Sequence, residues 1–168
     1  MENFNQYEPT TTPLFSQNKF HVFLSFRGAD VRKTLIDNLY KSLCIAGLCV
    51  FLDSEELEKG KTIDTALQIA IESSDILIPV FSRGYADSSW CLMEAAKMCR
   101  CSENGIIIPL FYDVQPCDVR RPDREGSPYV EAFQKHLHRY DNDTVDEWKR
   151  ALFQISSRSG WSLQAESG

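Results

Sequence analysis

Residues 88–99 read SSWCLMEAAKMC and set a carboxylate, Glu94, among Trp90, Cys91, Leu92, Met93, Ala95, Ala96, Met98 and Cys99. In such surroundings a carboxylate is either a solvated edge residue or a group held in place for chemistry. At 100° per helical residue, Leu92, Ala95, Ala96 and Cys99 centre the apolar face and Glu94 falls at its shoulder. The residue three before it is Cys91, so it is not a capping-box glutamate. Position alone favours the plainer reading: an i, i+3 pair with Lys97, worth about 0.2–0.5 kcal/mol.

Other chemical motifs fail on inspection. Gly60-Lys61-Thr62 ends EELEKGKT like a phosphate-binding loop. The first glycine of that motif would stand where Glu55 is, and Glu56 and Glu58 would repel a phosphate. The acidic loop reads better as an exposed interaction surface. No G-x-G-x-x-G follows a strand, which argues against a dinucleotide-dependent dehydrogenase. G-x-S-x-G is absent, which argues against a serine hydrolase of the α/β type. Cys99-x-Cys101 with His136-x-His138 lacks zinc spacing, so no metal is expected, and the histidines read as helix-surface residues.

Four short apolar runs recur at roughly 30-residue intervals, the length of a βαβ unit. They are FHVFLSF (20–26), LCVFL (48–52), DILIPVF (75–81) and IIIPLFY (106–112). They lack strict alternation, as strands of a parallel sheet covered on both faces do. Between and after them lie helical patterns at 31–46, 62–72, 88–99, 128–139 and 144–158. Gly47 caps the first of these. WSL (161–163) is read as a fifth, edge strand. The expected fold is α/β: a flavodoxin-like, doubly wound sheet of five parallel strands in the order 2-1-3-4-5.

In such a sheet, ligands bind at the carboxyl ends of the strands, where the order reverses between strands 1 and 3. That rule brings Arg27-Gly28-Ala29-Asp30 and the segment from Ser82 to Glu94 to one crevice. The chain's 168 residues suit a single domain over 19–163. A polar leader at 1–18 is read as disordered, and 164–168 as a tail or the start of a linker. A net charge of −6 argues against a nucleic-acid surface. No apolar run reaches the ~18 residues of a membrane span. Six cysteines without framework spacing, and no secretory signal, suggest free thiols in a reducing cytosol.

Five stretches, in order, carry a family resemblance: HVFLSFRGADVRKTLIDNLYKSL, FLDSEELEKGKTI, SRGYADSSWCLMEAAKM, IIIPLFYDVQPCDVR and YVEAFQKH. Together they resemble a plant Toll/interleukin-receptor (TIR) domain, as found in intracellular immune receptors and TIR-only proteins. The resemblance implies an NAD⁺ glycohydrolase, activated by self-association, that signals in plant innate immunity and cell death. It makes NAD⁺ or NADP⁺ the substrate and requires no cofactor. It implies a homo-oligomer, a cytoplasmic or nuclear setting, no membrane, and room for NB-ARC and LRR domains in a longer parent chain. The alternative within the family is a non-catalytic self-association module.

By resemblance, Glu94 is the catalytic residue, and Phe26, Arg27, Gly28, Ser88 and Trp90 bind substrate. The loop from Asp53 to Thr62, with Gly60 and Lys61, resembles the BB loop that mediates assembly. The chemistry suits these residue types. Nicotinamide leaves as a neutral molecule, so one carboxylate suffices to stabilise oxocarbenium-like charge. Trp90 offers a face for a ring and Arg27 a fork for the pyrophosphate. Gln115 and Cys117 depart from the common V-D-P-S-D-V-R. Asp37-Asn38 stands where many relatives carry Ser-His on a self-association face.

Overall fold

The computed structural model describes residues 19–52, 65–101 and 105–165. The leader at 1–18, the acidic loop with Asp53, Gly60 and Lys61, and residues 166–168 of the tail lie outside the described residues.

One parallel sheet is built from β1 (Val22–Phe26), β2 (Val50–Leu52), β3 (Ile76–Phe81), β4 (Ile106–Ile107), β5 (Leu110–Tyr112) and β6 (Trp161–Leu163). Its order is β2-β1-β3-β5-β6, with β4 also on β3, so the expected five-position order holds. The fourth run is not one strand but two. Leu77 faces Ile107 and Val80 faces Leu110. Between them, the Ile108 N–H still donates to Leu77 O at 2.9 Å. The next rung of a parallel ladder would come from residue 79, and Pro79 has no N–H. Pairing resumes beyond it.

Alternating side chains divide the core between two faces. Val22, Leu24 and Phe26 join Ile78, Val80 and Leu110 on one face. Phe23, Leu77, Phe81 and Phe111 point to the other. The first face is covered by α1 (Gly28–Val31), a π-helical turn (Arg32–Ile36) and α2 (Asp37–Ile45). The second is covered by α3 (Thr65–Ser73), α4 (Ser89–Cys101), α5 (Pro116–Arg120), α6 (Val130–Leu137) and α7 (Asn142–Ser156).

Several expected boundaries shift for identifiable reasons. The first helix begins at Gly28, not at 31, and a π turn interrupts it. Five-residue spacing turns Val31 and Ile36 inward together, and both are fully buried. The helix ends in a Schellman motif, with Gly47 at φ +85°. The Gly47 N–H bonds Cys44 O and the Leu48 N–H bonds Leu43 O. Helix α5 was not anticipated; Pro116 at its first turn, after Gln115, is its sequence signal. The Arg120 guanidinium donates to Ser156 O at 3.0 Å and so ties α5 to the end of α7. In α3, Leu67, Ala70 and Ile71 are buried and Ala66 is exposed.

Cys44, Cys49 and Cys117 are exposed thiols, and Cys91 is buried. His138 is exposed but His136 is buried, against the expectation of two surface histidines. Among the described residues, no group of His, Cys, Asp and Glu could hold a metal ion, and no helix is long and apolar enough to cross a membrane.

The edge strand depends on a close approach. A Cβ on Gly160 would stand 2.1 Å from Pro109 O, the atom that accepts the Trp161 N–H at 3.2 Å. Gly160→Ala must push β6 off β5, and urea unfolding should show a loss of about 1–3 kcal/mol. Asp141 caps α7 by accepting the Thr144 N–H at 2.8 Å. That bond and the Thr144 hydroxyl lower the Asp141 pKa from 3.8. The charged form therefore stabilises the fold above the unfolded pKa, and its contribution is lost as pH falls through the native value. Asp141→Ala should lower the thermal midpoint at neutral pH, and its gap to the parent should close in strong acid.

Candidate active site

Phe26 pairs with Val80, so the carboxyl ends of β1 and β3 lie side by side. The segments that leave them, 27–30 and 82–88, therefore meet at the switch point. Asp30 stitches them together. Its Oδ1 accepts from Arg27 Nη1 at 2.5 Å. Its Oδ2 accepts from the Ser82 hydroxyl at 2.5 Å and from the Gly84 N–H at 3.0 Å. A Cβ on Gly84 would stand 2.5 Å from Arg27 Nη1 and 2.7 Å from Asp30 Oδ2, so glycine is what lets the two connections close up.

A second link runs beneath. The Tyr85 hydroxyl donates to Cys91 O at 3.0 Å and lies 2.8 Å from Ser25 Oγ. The one phenolic proton goes to the carbonyl, so Ser25 donates to Tyr85. Burial, then the nearby Cys91 and Glu94, push the phenol well above its ordinary pKa and keep it protonated. β1 is thereby tied to the 3₁₀ turn Tyr85–Asp87 and to the first turn of α4.

Helix α4 starts at a side-chain cap. Ser88 Oγ accepts the Cys91 N–H at 3.2 Å, and Ser88 O accepts the Leu92 N–H at 3.1 Å. Trp90 and Glu94 follow, one turn apart and on one side. Glu94 is 1% exposed, not a shoulder residue. Lys97 Nζ meets Glu72 Oε1 at 2.8 Å, from α3. Helical periodicity misplaces Glu94 because α4 is covered on more than one side, by the sheet and by α3 and α7.

The other expected site residues fall as follows. Arg27 is half-buried and engaged with Asp30. Gly28 is the first residue of α1, not part of a loop. Ser88 and Trp90 are half-buried, and Trp90 packs on the core of the α4 face. The Phe26 ring is buried in the other face, with the Arg32 guanidinium 5.2 Å from its centroid. It therefore lies across the sheet from Tyr85 and Glu94. Ser25, Ser82 and Tyr85 have structural roles that were not anticipated. Ser25 had one signal, a lone polar residue inside VFLSF.

The connections that leave β1 and β3 bring a guanidinium (Arg27), a hydroxyl (Ser88), an indole (Trp90) and the buried Glu94 carboxylate to the same end of the sheet. Such a carboxylate stabilises cationic charge well, because water is excluded around it. Asp30→Ala and Gly84→Ala should each cost about 1–3 kcal/mol in urea unfolding. Both break one cluster, so the double variant should fall short of the sum by about 0.5 kcal/mol or more; strict additivity would refute a shared cluster.

The TIR-domain family model matches residues 19–167. TMV resistance protein N of Nicotiana glutinosa is 40% identical over 149 residues, covering 86% of this chain and 13% of that protein. Disease resistance protein RPV1 of Vitis rotundifolia is 37% identical over 164 residues, covering 96% of this chain and 11% of that protein. The chain therefore spans only about an eighth of the length of these relatives. The TIR domains of the activated Roq1 resistosome, which recognises the pathogen effector XopQ, share its fold with a TM-score of 0.75. They are 39% identical, over 86% of this chain and 88% of that one. The chain belongs to the TIR-domain family, and its relatives are plant disease resistance proteins.

Proposed function

We propose that this TIR domain cleaves NAD⁺ to nicotinamide and ADP-ribose or a cyclised product, with Glu94 as the catalytic residue, as part of plant immune signalling. The observation that carries the reading is the burial of Glu94 in the second turn of α4, the helix that follows the β3 connection.

The bond that breaks joins ribose C1′ to the pyridinium nitrogen. Its electron pair goes to that nitrogen, which becomes neutral, so no proton has to be delivered. Positive charge develops on the ribose, and the Glu94 carboxylate stabilises it. Water, or a nucleophile of the same molecule, then bonds C1′; with water a proton is released. Trp90 positions a ring by stacking. Arg27 has five donors, so one bond to Asp30 leaves a geometry that suits a diphosphate. The residues that match the family's BB loop, Asp53 to Thr62, serve assembly, and the resistosome relative supports a homo-oligomeric active form. NB-ARC and LRR regions would follow in a longer parent chain, working in the cytoplasm or nucleus.

The competing reading is a TIR domain that acts through self-association alone. Purified chain at high concentration, incubated with NAD⁺, separates the two. Glu94→Gln keeps size and shape and should lower nicotinamide release by about 10²–10³-fold with the thermal midpoint nearly unchanged. Parent and variant releasing nicotinamide at the same rate would remove Glu94 from the chemistry. Self-association of a parent that releases none, at any concentration, would favour the second reading.

A further inference from the structure

His136 is the buried titratable group that the chemistry above does not use. It is 6% exposed, in α6, and its ring is enclosed by aromatic edges. Phe133, Tyr140 and Trp148 stand around it with ring centroids 6.1, 5.8 and 5.3 Å away. Nε2 lies 2.7 Å from Ala86 O. A carbonyl oxygen only accepts, so Nε2 carries the proton. Nδ1 is buried without a hydrogen-bond partner among the described residues. The ring is thus a donor aimed at one backbone atom.

That atom belongs to the connection that places the candidate site. Ala86 is fully buried in the turn Tyr85–Asp87, two residues before the cap of α4. A little upstream, the Tyr129 hydroxyl donates to Ser82 O at 2.7 Å. Tyr129, just before α6, and His136, within it, therefore hold the β3–α4 connection at two carbonyls. Packing alone would need no donor here: phenylalanine would fill the aromatic cage.

We infer that His136 is a positioning residue for the active site. Its Nε2–H sets the height of the Ala86 carbonyl, and through it the register of Ser88, Trp90 and Glu94 at the start of α4. The effect on turnover rests on the NAD⁺-cleaving reading; the effect on backbone order does not.

The test compares His136→Gln, whose amide nitrogen reaches the place of Nε2, with His136→Phe, which keeps the ring and loses the donor. Amide hydrogen exchange over residues 84–92 of the 168-residue chain is read beside NAD⁺ turnover. His136→Phe should exchange about tenfold faster in that segment, while His136→Gln stays near the parent. Turnover should follow, with kcat about tenfold lower in His136→Phe and restored in His136→Gln. Should His136→Phe fail to fold, His136→Asn, whose amide falls short of Ala86 O, replaces it with the same expectation. Exchange in the donor-less variant equal to the parent, or His136→Gln as fast as that variant, overturns the proposal. A parent that cleaves no NAD⁺ refutes the functional reading and leaves the exchange comparison to decide this one.

Discussion

The connection over residues 82–88 is buried at three of its positions, and buried backbone polar groups must be satisfied. Ser82, Tyr85 and Ala86 are almost fully shielded from water. Most loops run over a surface and let water do this work. Here side chains from distant elements do it: Asp30 takes the Gly84 N–H, Tyr129 donates to Ser82 O, and His136 donates to Ala86 O. The Tyr85 side chain reaches back to Ser25 and forward to Cys91. The strand order, the start of α4 and the candidate site all meet at this segment.

The constraint also accounts for Glu94. A helix whose first turn is held by the Ser88 cap and by the Tyr85 hydroxyl on Cys91 O has little freedom to tilt. Its second turn is then presented to the crevice at a fixed depth. A carboxylate carried there is shielded from bulk water, where its charge acts more strongly on a cationic centre. The same shielding would be costly for an ion held without purpose.

The fold was largely legible because apolar runs bounded by turn residues carry strand identity by themselves. β1, β2, β3 and the WSL edge lie where those runs predicted. The break between β4 and β5 was not seen because it comes from Pro79, on the neighbouring strand, and only the register shows which rung is lost. The π turn escaped notice for a similar reason: Leu35 and Ile36 are both apolar, so a four-residue and a five-residue spacing read alike. For the site, the switch-point rule found both segments, and the motif resemblance singled out Glu94, Ser88 and Trp90. Position within the helix did not, since periodicity assumes one buried face and α4 is covered more widely.

The sequence by itself determined what is local: which runs are strands, where Gly47 ends a helix, and which two connections meet at the switch point. These follow from propensity, capping and the chirality of parallel sheets, which act over a few residues or apply to every sheet of this kind. Only the tertiary structure decided that Glu94 is buried, that Lys97 pairs with Glu72, that Phe26 points to the opposite face, and that His136 is a core donor and not a surface residue. Each of those outcomes depends on a partner between 25 and 54 positions away or on the far side of the sheet. Burial and hydrogen bonding are settled by what chain folding brings alongside a residue, and a residue's own neighbours in sequence do not specify it.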